Sequence, residues 1–256
     1  MNRLVYLVQS LFARAGLVVL RKRSFQDLQR YVDLARRYAI LSYFEDPILK
    51  QRLMELEAES QAQLHQDLVA GMVAGFKNSG FFVEFGATDG KTLSNTFMLE
   101  KELGWSGVLA EPGREWHDEL RSNRDSQLVK KAVWSKTGEE LDFVEDGELS
   151  TLTRFRSSDK NLRKGLVYKV KTISLLDLLV ENDAPREIDF LSIDTEGSEV
   201  AILEAFDFSK YTFNFICVEH NFTPQENRIE ELLASNGYQR VLADVSGWDA
   251  WFVRSK

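Results

Sequence analysis

The sequence of 256 residues carries one cysteine, Cys217, which excludes an intramolecular disulfide and any zinc site built from several cysteines. A reducing compartment, the cytoplasm, is the simple expectation. Histidine is scarce too, and of the three residues His65 and His117 lie in helical, charged surroundings, whereas His220 follows a strand-like run. Basic residues are outnumbered, and the net charge of -8 argues against a dedicated nucleic-acid binder, because an acidic surface repels phosphate. Only Arg21 to Arg23 and Arg154 to Lys171 are locally basic. No apolar run is clean enough to span a bilayer: Leu4 to Leu20 is interrupted by Gln9, Ser10 and Arg14 and falls short of roughly 20 apolar residues. A signal peptide is not expected either, since Arg21-Lys-Arg23 stands where a small-residue cleavage site belongs. There is no internal repeat and no low-complexity linker.

What is present begins with helical pattern. Drawn as a helix, residues 1–23 place Arg3, Ser10, Arg14 and Arg21 on one face, while Leu4, Leu7, Val8, Leu11, Ala15 and Val18 cover much of the rest. That fits a peripheral helix on the inner membrane face, or one that self-associates or packs on the body of the protein. From Ser24 to Lys77 the spacing stays helical, with a capping-box pattern at Ser24 and Asp27 and a helix start at Pro47. Asn78-Ser-Gly80 then stops the chain. Residues 1–79 therefore read as a helical extension and 80–256 as the main domain.

After Gly80, apolar or β-branched runs alternate with helical stretches. The expected strands are Phe81 to Gly86, Gly107 to Glu111, Gln127 to Val133, Ile188 to Asp194, Phe213 to Glu219, Gln239 to Ala243 and Trp251 to Arg254. This is a doubly wound α/β pattern. Leu141 to Val144 and Val167 to Ile173 read as extra strands in an insertion, flanking a polar loop, Ser150 to Lys164, that suits a substrate lid.

Phe81-Phe-Val-Glu-Phe-Gly-Ala-Thr-Asp-Gly90 has the form of a buried strand ending in a tight glycine turn, with a helix expected to start near Leu93. It is not a GxGxxG. Glu84 stands at the strand end, where a carboxylate would repel a pyrophosphate but attract a cation, which shifts the expected cofactor from NAD to S-adenosylmethionine. Trp105-Ser-Gly107-Val-Leu-Ala-Glu111-Pro112 ends in a second acid, 25 residues after Gly86, near the offset at which a carboxylate takes ribose hydroxyls.

These segments, with Ser94-Asn-Thr96, Ile188-Asp-Phe-Leu-Ser-Ile-Asp-Thr-Glu-Gly-Ser-Glu199 and Val218-Glu-His-Asn-Phe222, resemble the FkbM-type S-adenosylmethionine-dependent methyltransferases over residues 60–254. Ser60-Gln61 and Gln66-Asp67 resemble a short polar motif of that family. The resemblance implies a class I (Rossmann-like) methyltransferase fold, a seven-stranded sheet with an antiparallel last strand and helices on both faces, and methyl transfer to a hydroxyl. Carried over, it gives cofactor contacts at Glu84, Gly86, Ala87, Thr88, Gly90, Asn95, Pro112, Ala132 and Asp194, with Glu111 on the ribose. Thr88 departs from the wider fold, where many members carry glycine.

A hydroxyl acceptor needs a base or a metal ion. Asp194 ends the expected fourth strand and Glu219-His220 the fifth, so all three are candidate catalytic residues at one crevice rim. They are also candidate ligands for Mg²⁺ or another divalent ion, in a pattern similar to metal-dependent catechol and macrolide O-methyltransferases. Without a metal, His220 is the expected base, its ordinary pKa near 6.5 suiting proton abstraction. The alternative for Asp194 and Glu196 is to cap a helix near Ser198. Trp248 and Trp251 either stack on a sugar or cover the sheet edge, and Arg154, Arg156 and Lys160 either meet an anionic sugar or lipid phosphate or stay solvated. The acceptor expected is a sugar of a surface polysaccharide or glycolipid precursor. The alternatives are a small natural product and a non-catalytic cofactor-binding scaffold.

Overall fold

The computed structural model describes residues 22–158, 161 and 163–255, apart from the side chain of Phe25. Residues 1–21 and Lys160 lie outside the described residues. The chain divides into two compact units, one ending at Ala39 and the other running from Ile40. The described part of the first belongs to α1 (Lys22–Tyr43), in which Ser24 is already helical. Among the described residues no helix is long and apolar enough to cross a membrane.

The second unit continues with α2 (Pro47–Leu56), α3 (Gln66–Val73), β1 (Phe81–Phe85), α4 (Phe97–Leu103), β2 (Ser106–Ala110), α5 (His117–Asn123) and β3 (Gln127–Val129). An insertion follows, made of β4 (Ala132–Trp134), β5 (Glu140–Glu145), β6 (Thr151–Leu152) and β7 (Leu166–Ser174). Then come α6 (Leu175–Glu181), β8 (Glu187–Ile193), α7 (Glu199–Glu204), β9 (Thr212–Glu219), α8 (Gln225–Ser235), β10 (Tyr238–Val241) and β11 (Asp249–Arg254). Pro47 starts α2 as expected: Asp46 accepts hydrogen bonds from the Ile48 and Leu49 amides, filling donors that the first turn leaves free.

Seven strands form one sheet in the order β10-β11-β9-β8-β1-β2-β3. Pairings among β3, β2, β1, β8 and β9 are parallel, and β11 runs antiparallel to both neighbours. This is the sheet implied by the resemblance. Strands buried on both faces explain the near-continuous apolar runs of β1 and β8. Alternation splits them between two cores: Val83, Phe85 and Leu191 pack with Leu178, Ile202 and Leu233 on one face. Phe82 and Phe190 pack on the other with Leu53, Leu68 and Leu99, so α2 to α4 supply a helical layer of the same unit as the sheet.

Two boundaries differ from expectation. The run Gln127 to Val133 is two strands, because Lys130 and Lys131 carry the chain out of the main sheet, and Ala132 opens β4 in the insertion's own sheet, β4-β7-β5-β6. The helix after β1 starts at Phe97, not near Leu93, because Leu93 adopts a left-handed φ of 60° that no helix accommodates. The chain reverses direction about β1 and β8, which open an α/β sheet at its topological switch point, where ligands bind beyond the carboxyl ends of the strands.

Candidate active site

At the end of β1, Glu84 is buried and its oxygens are engaged by the loop that follows. Oε1 accepts the Asn95 amide at 2.8 Å, while Oε2 accepts the Ser94 hydroxyl at 3.0 Å and the Thr96 hydroxyl. Arg124 lies behind, 3.6 Å from Glu84 and 3.0 Å from Glu100, and donates to the Gly90 carbonyl. Glu84 thus lines the crevice yet spends its hydrogen-bonding capacity on shaping residues 86–96. Gly86 has φ of 71°, and a Cβ there would stand 2.1 Å from the Asp194 carbonyl oxygen, so β1 and β8 approach too closely for any side chain. Gly90 faces Leu120 and Arg124 instead of the cavity.

Thr88 has φ of 45°, a strained conformation for a β-branched residue and one that the glycine of the wider fold would adopt freely. Its amide donates to Glu111 Oε2 at 2.9 Å, and the Gly113 amide donates to Oε1 at 2.6 Å. Burial raises the Glu111 pKa to about 7 despite these two donors.

On the other side of Gly86, Asp194, Glu196 and Glu219 bring carboxylate oxygens within 4.8 Å of one another. Burial pushes Asp194 and Glu219 well above the ordinary carboxylate range, and the mutual repulsion of the group adds to it, so these acids cannot all ionise together. Glu196 has its own counter-ion: the fully buried Arg163 donates to its Oε2 and to the Leu149 carbonyl, tying the insertion to the loop after β8. Thr151 and Ser158 donate to the Glu196 carbonyl from the same insertion. Neither Asp194 nor Glu196 caps α7. Glu199 closes that turn, accepting the amides of Thr195 and Gly197, both at 3.0 Å.

His220 is not brought into this group as the sequence had suggested. It stands one residue beyond β9, where the chain leaves the strand, and is turned away from the crevice that Glu219 lines. Its Nδ1 accepts the Phe222 amide at 3.0 Å, Nε2 lies 3.7 Å from Glu226, and burial lowers its pKa. The third member of the acidic group is Glu196. Another residue that sequence reasoning passed over is Asp249, which pairs directly opposite Glu219 in the β9–β11 ladder and accepts a 2.7 Å bond from Gln66. The hairpin register was the signal for it. Asp67, by contrast, is wholly buried against Ser60 and away from the crevice.

A cavity of about 270 Å³ joins these parts. Of the expected residues, Glu84, Gly86, Thr88, Asn95, Glu111, Pro112, Ala132, Asp194 and Glu219 line it, while Ala87, Gly90 and His220 do not. Glu84, Glu111, Glu148, Asp194, Glu196, Glu219 and Asp249 all reach its wall; among the described residues no lysine, arginine or histidine does. Arg154 lies over the Trp134 ring and Arg156 donates to the Arg163 carbonyl, so neither meets the cavity.

A seven-stranded sheet in this order, with an acid-rimmed crevice at its switch point, defines a class I S-adenosylmethionine-dependent methyltransferase. The family model described as "Methyltransferase FkbM domain" matches residues 84–240, and the chain belongs to that family. The chain is similar to a methyltransferase FkbM from Methylobacillus flagellatus KT, with 13% identity and a TM-score of 0.45, covering 86% of this chain and 58% of that one. It is also similar to a precorrin-6y C5,15-methyltransferase from Geobacter metallireducens GS-15, with 11% identity, TM-score 0.41 and coverage of 69% and 72%. A TehB-like SAM-dependent methyltransferase from Corynebacterium glutamicum is 9% identical, with TM-score 0.40 and coverage of 80% and 95%. None of the curated proteins compared with the chain matches it.

Proposed function

We propose that the chain is an O-methyltransferase whose acceptor is a neutral sugar hydroxyl, on a surface polysaccharide or a glycolipid precursor. The observation that carries this reading is the wall of seven acids, which no cation among the described residues faces. Such a wall attracts a sulfonium, and it repels an acceptor that presents phosphate or carboxylate to the cavity. S-adenosylmethionine supplies the electrophilic methyl group when bound. Glu111 would take the ribose hydroxyls, with Gly86, Thr88, Asn95, Pro112 and Ala132 along the same wall; Ala87 and Gly90 would act by shaping the loop.

At the opposite wall, Asp194 and Glu219 share the protons that their proximity forces them to keep, and the ionised member of the pair would accept the proton of the acceptor hydroxyl. Ser150, Thr151 and Asn161 give the insertion's side of the cavity a polar lining suited to a polyol, and the partly exposed Trp248 offers a ring face. This assignment replaces His220 as the base. It also favours proton transfer over a metal ion, since Arg163 already neutralises Glu196 and the imidazole is turned away.

Labelled methyl transfer to free sugars, lipid-linked sugars and apolar natural products tests the reading. Transfer to a sugar is expected, unaffected by a chelator. Glu219→Gln should lower the rate by about 10²–10⁴-fold with product binding intact, and His220→Ala should retain most of it. Transfer to natural products alone would exclude a glycan acceptor, and loss of activity on chelation would restore the metal.

A further inference from the structure

The charge of this chain is unevenly spread. Residues 1–43 hold eight lysines and arginines against two aspartates, a net +6, and because the whole chain carries -8 the remainder carries -14. The described part of the basic segment is α1, a helix of 22 residues. Leu28, Tyr31, Val32, Ala35 and Tyr38 follow the three-and-four spacing of one helical face. That face is open: Leu28 is 50% exposed, Tyr31 70%, Val32 47% and Tyr38 75%, with Leu34 beside them at 58%. Arg23 and Arg30, both exposed, stand seven residues apart, close to two full turns, and so form one line along the border of the apolar face.

An apolar stripe edged by guanidinium groups is complementary to the headgroup boundary of an anionic bilayer, where ring and alkyl carbons enter the acyl region and each guanidinium meets phosphate. The tyrosines fit the same boundary, having an apolar ring and a polar tip. A second copy laid on this stripe would instead bring two basic segments together. We infer that α1 is a membrane-surface helix that holds the enzyme on anionic lipid through its Leu28–Tyr31–Tyr38 face and its Arg23–Arg30 edge. The acidic remainder of the chain offers such a surface no attraction of its own, so α1 determines the attachment whichever acceptor is methylated.

Sedimentation of the full chain with phosphatidylcholine vesicles, with and without phosphatidylglycerol, tests this. Binding is expected only with phosphatidylglycerol, and it should fall with added salt. Arg23→Gln with Arg30→Gln should weaken it about 25-fold, five-fold per arginine, for roughly 1 kcal/mol each. Leu28→Ser with Tyr31→Ser should abolish it while leaving S-adenosylhomocysteine binding unchanged. Equal binding to both vesicles, or binding to neither, would overturn the inference. So would variants that bind as tightly as the native chain, which would assign the contact to residues 1–21. Apolar-face variants that convert a self-associated protein to monomer without loss of vesicle binding would assign the face to a second copy.

Discussion

Glu111 offers the sharpest test of the cofactor side, because its protonation and its proposed ligand compete for the same oxygens. Burial places its pKa at about 7, against an ordinary value of 4.5, with the Thr88 and Gly113 amides resisting the shift. For folding the sign is unfavourable at high pH: the stabilisation linked to this group is fully present below the unfolded pKa and is lost as pH rises through about 7. For binding the sign reverses. Ribose hydroxyls donate to the carboxylate, so ligand affinity should follow the ionised fraction, about one-tenth at pH 6 and nine-tenths at pH 8. Affinity should therefore rise about ten-fold across that interval, with about one proton released per ligand at pH 6 and about half a proton at pH 7. Isothermal calorimetry with S-adenosylhomocysteine, repeated in buffers of different ionisation enthalpy, measures both quantities. Adenosine serves as a second probe, since it keeps the ribose and lacks the amino group. Glu111→Gln removes the charged acceptor and should cost about ten- to hundred-fold in affinity, the range of about 1.5–3 kcal/mol for a hydrogen bond to a charged group. The same variant should flatten the pH profile. An affinity indifferent to pH in the native protein, or a slope that survives in Glu111→Gln, would refute the ribose assignment.

Two further substitutions examine the frame around the site. Gly86→Ala should destabilise more than Gly104→Ala, because both positions have left-handed φ, costing about 1–2 kcal/mol for an L side chain, but only Gly86 meets a backbone oxygen, at 2.1 Å; equal shifts in thermal unfolding would disprove the close approach of β1 and β8. Arg163→Met leaves Glu196 buried beside two other acids and should cost about 3–5 kcal/mol in denaturant unfolding at pH 8. The cost should be smaller at pH 5, where protonation within the three-acid group lessens the repulsion that the arginine's charge offsets. Equal losses at both pH values would show that packing, not charge, is what Arg163 supplies.

Much of the sheet was legible because buried parallel strands write themselves as apolar runs, and those of β1, β2, β8 and β9 end in acids that reach one crevice. Glu111 and Asp194 needed only strand ends and an offset along the chain. His220 stands one residue beyond β9 and does not line the crevice cavity that Glu219 lines, a placement set by how the chain leaves the strand. The pairs that complete the site were less legible for a different reason. Arg163 and Glu196 are 33 residues apart, and Arg124 is 40 from Glu84, with nothing periodic to connect them; only the folded insertion and the turn after α5 bring them together. The strain at Thr88 was half visible, as a threonine standing where the resemblance expects glycine, but its φ is a property of the closed loop.

The distribution of buried cations gives the site a direction. Arg124 and Arg163 are both almost wholly buried, and both stand behind the wall, against Glu84 and Glu196, without reaching the cavity surface. Placed there, they stabilise the two acids that hold the flanking loops, while Glu111, Asp194, Glu219 and Asp249 face the cavity with no arginine of their own among the described residues. The negative potential that remains is directed inward, toward whatever positive charge enters. A sulfonium lowers the cost of ionising those acids, and methyl transfer removes that charge from the cofactor. On the function proposed above, the cavity would lose part of its hold on the neutral thioether as soon as the methyl group has left, and the acids that recruit the donor would also promote release of the product.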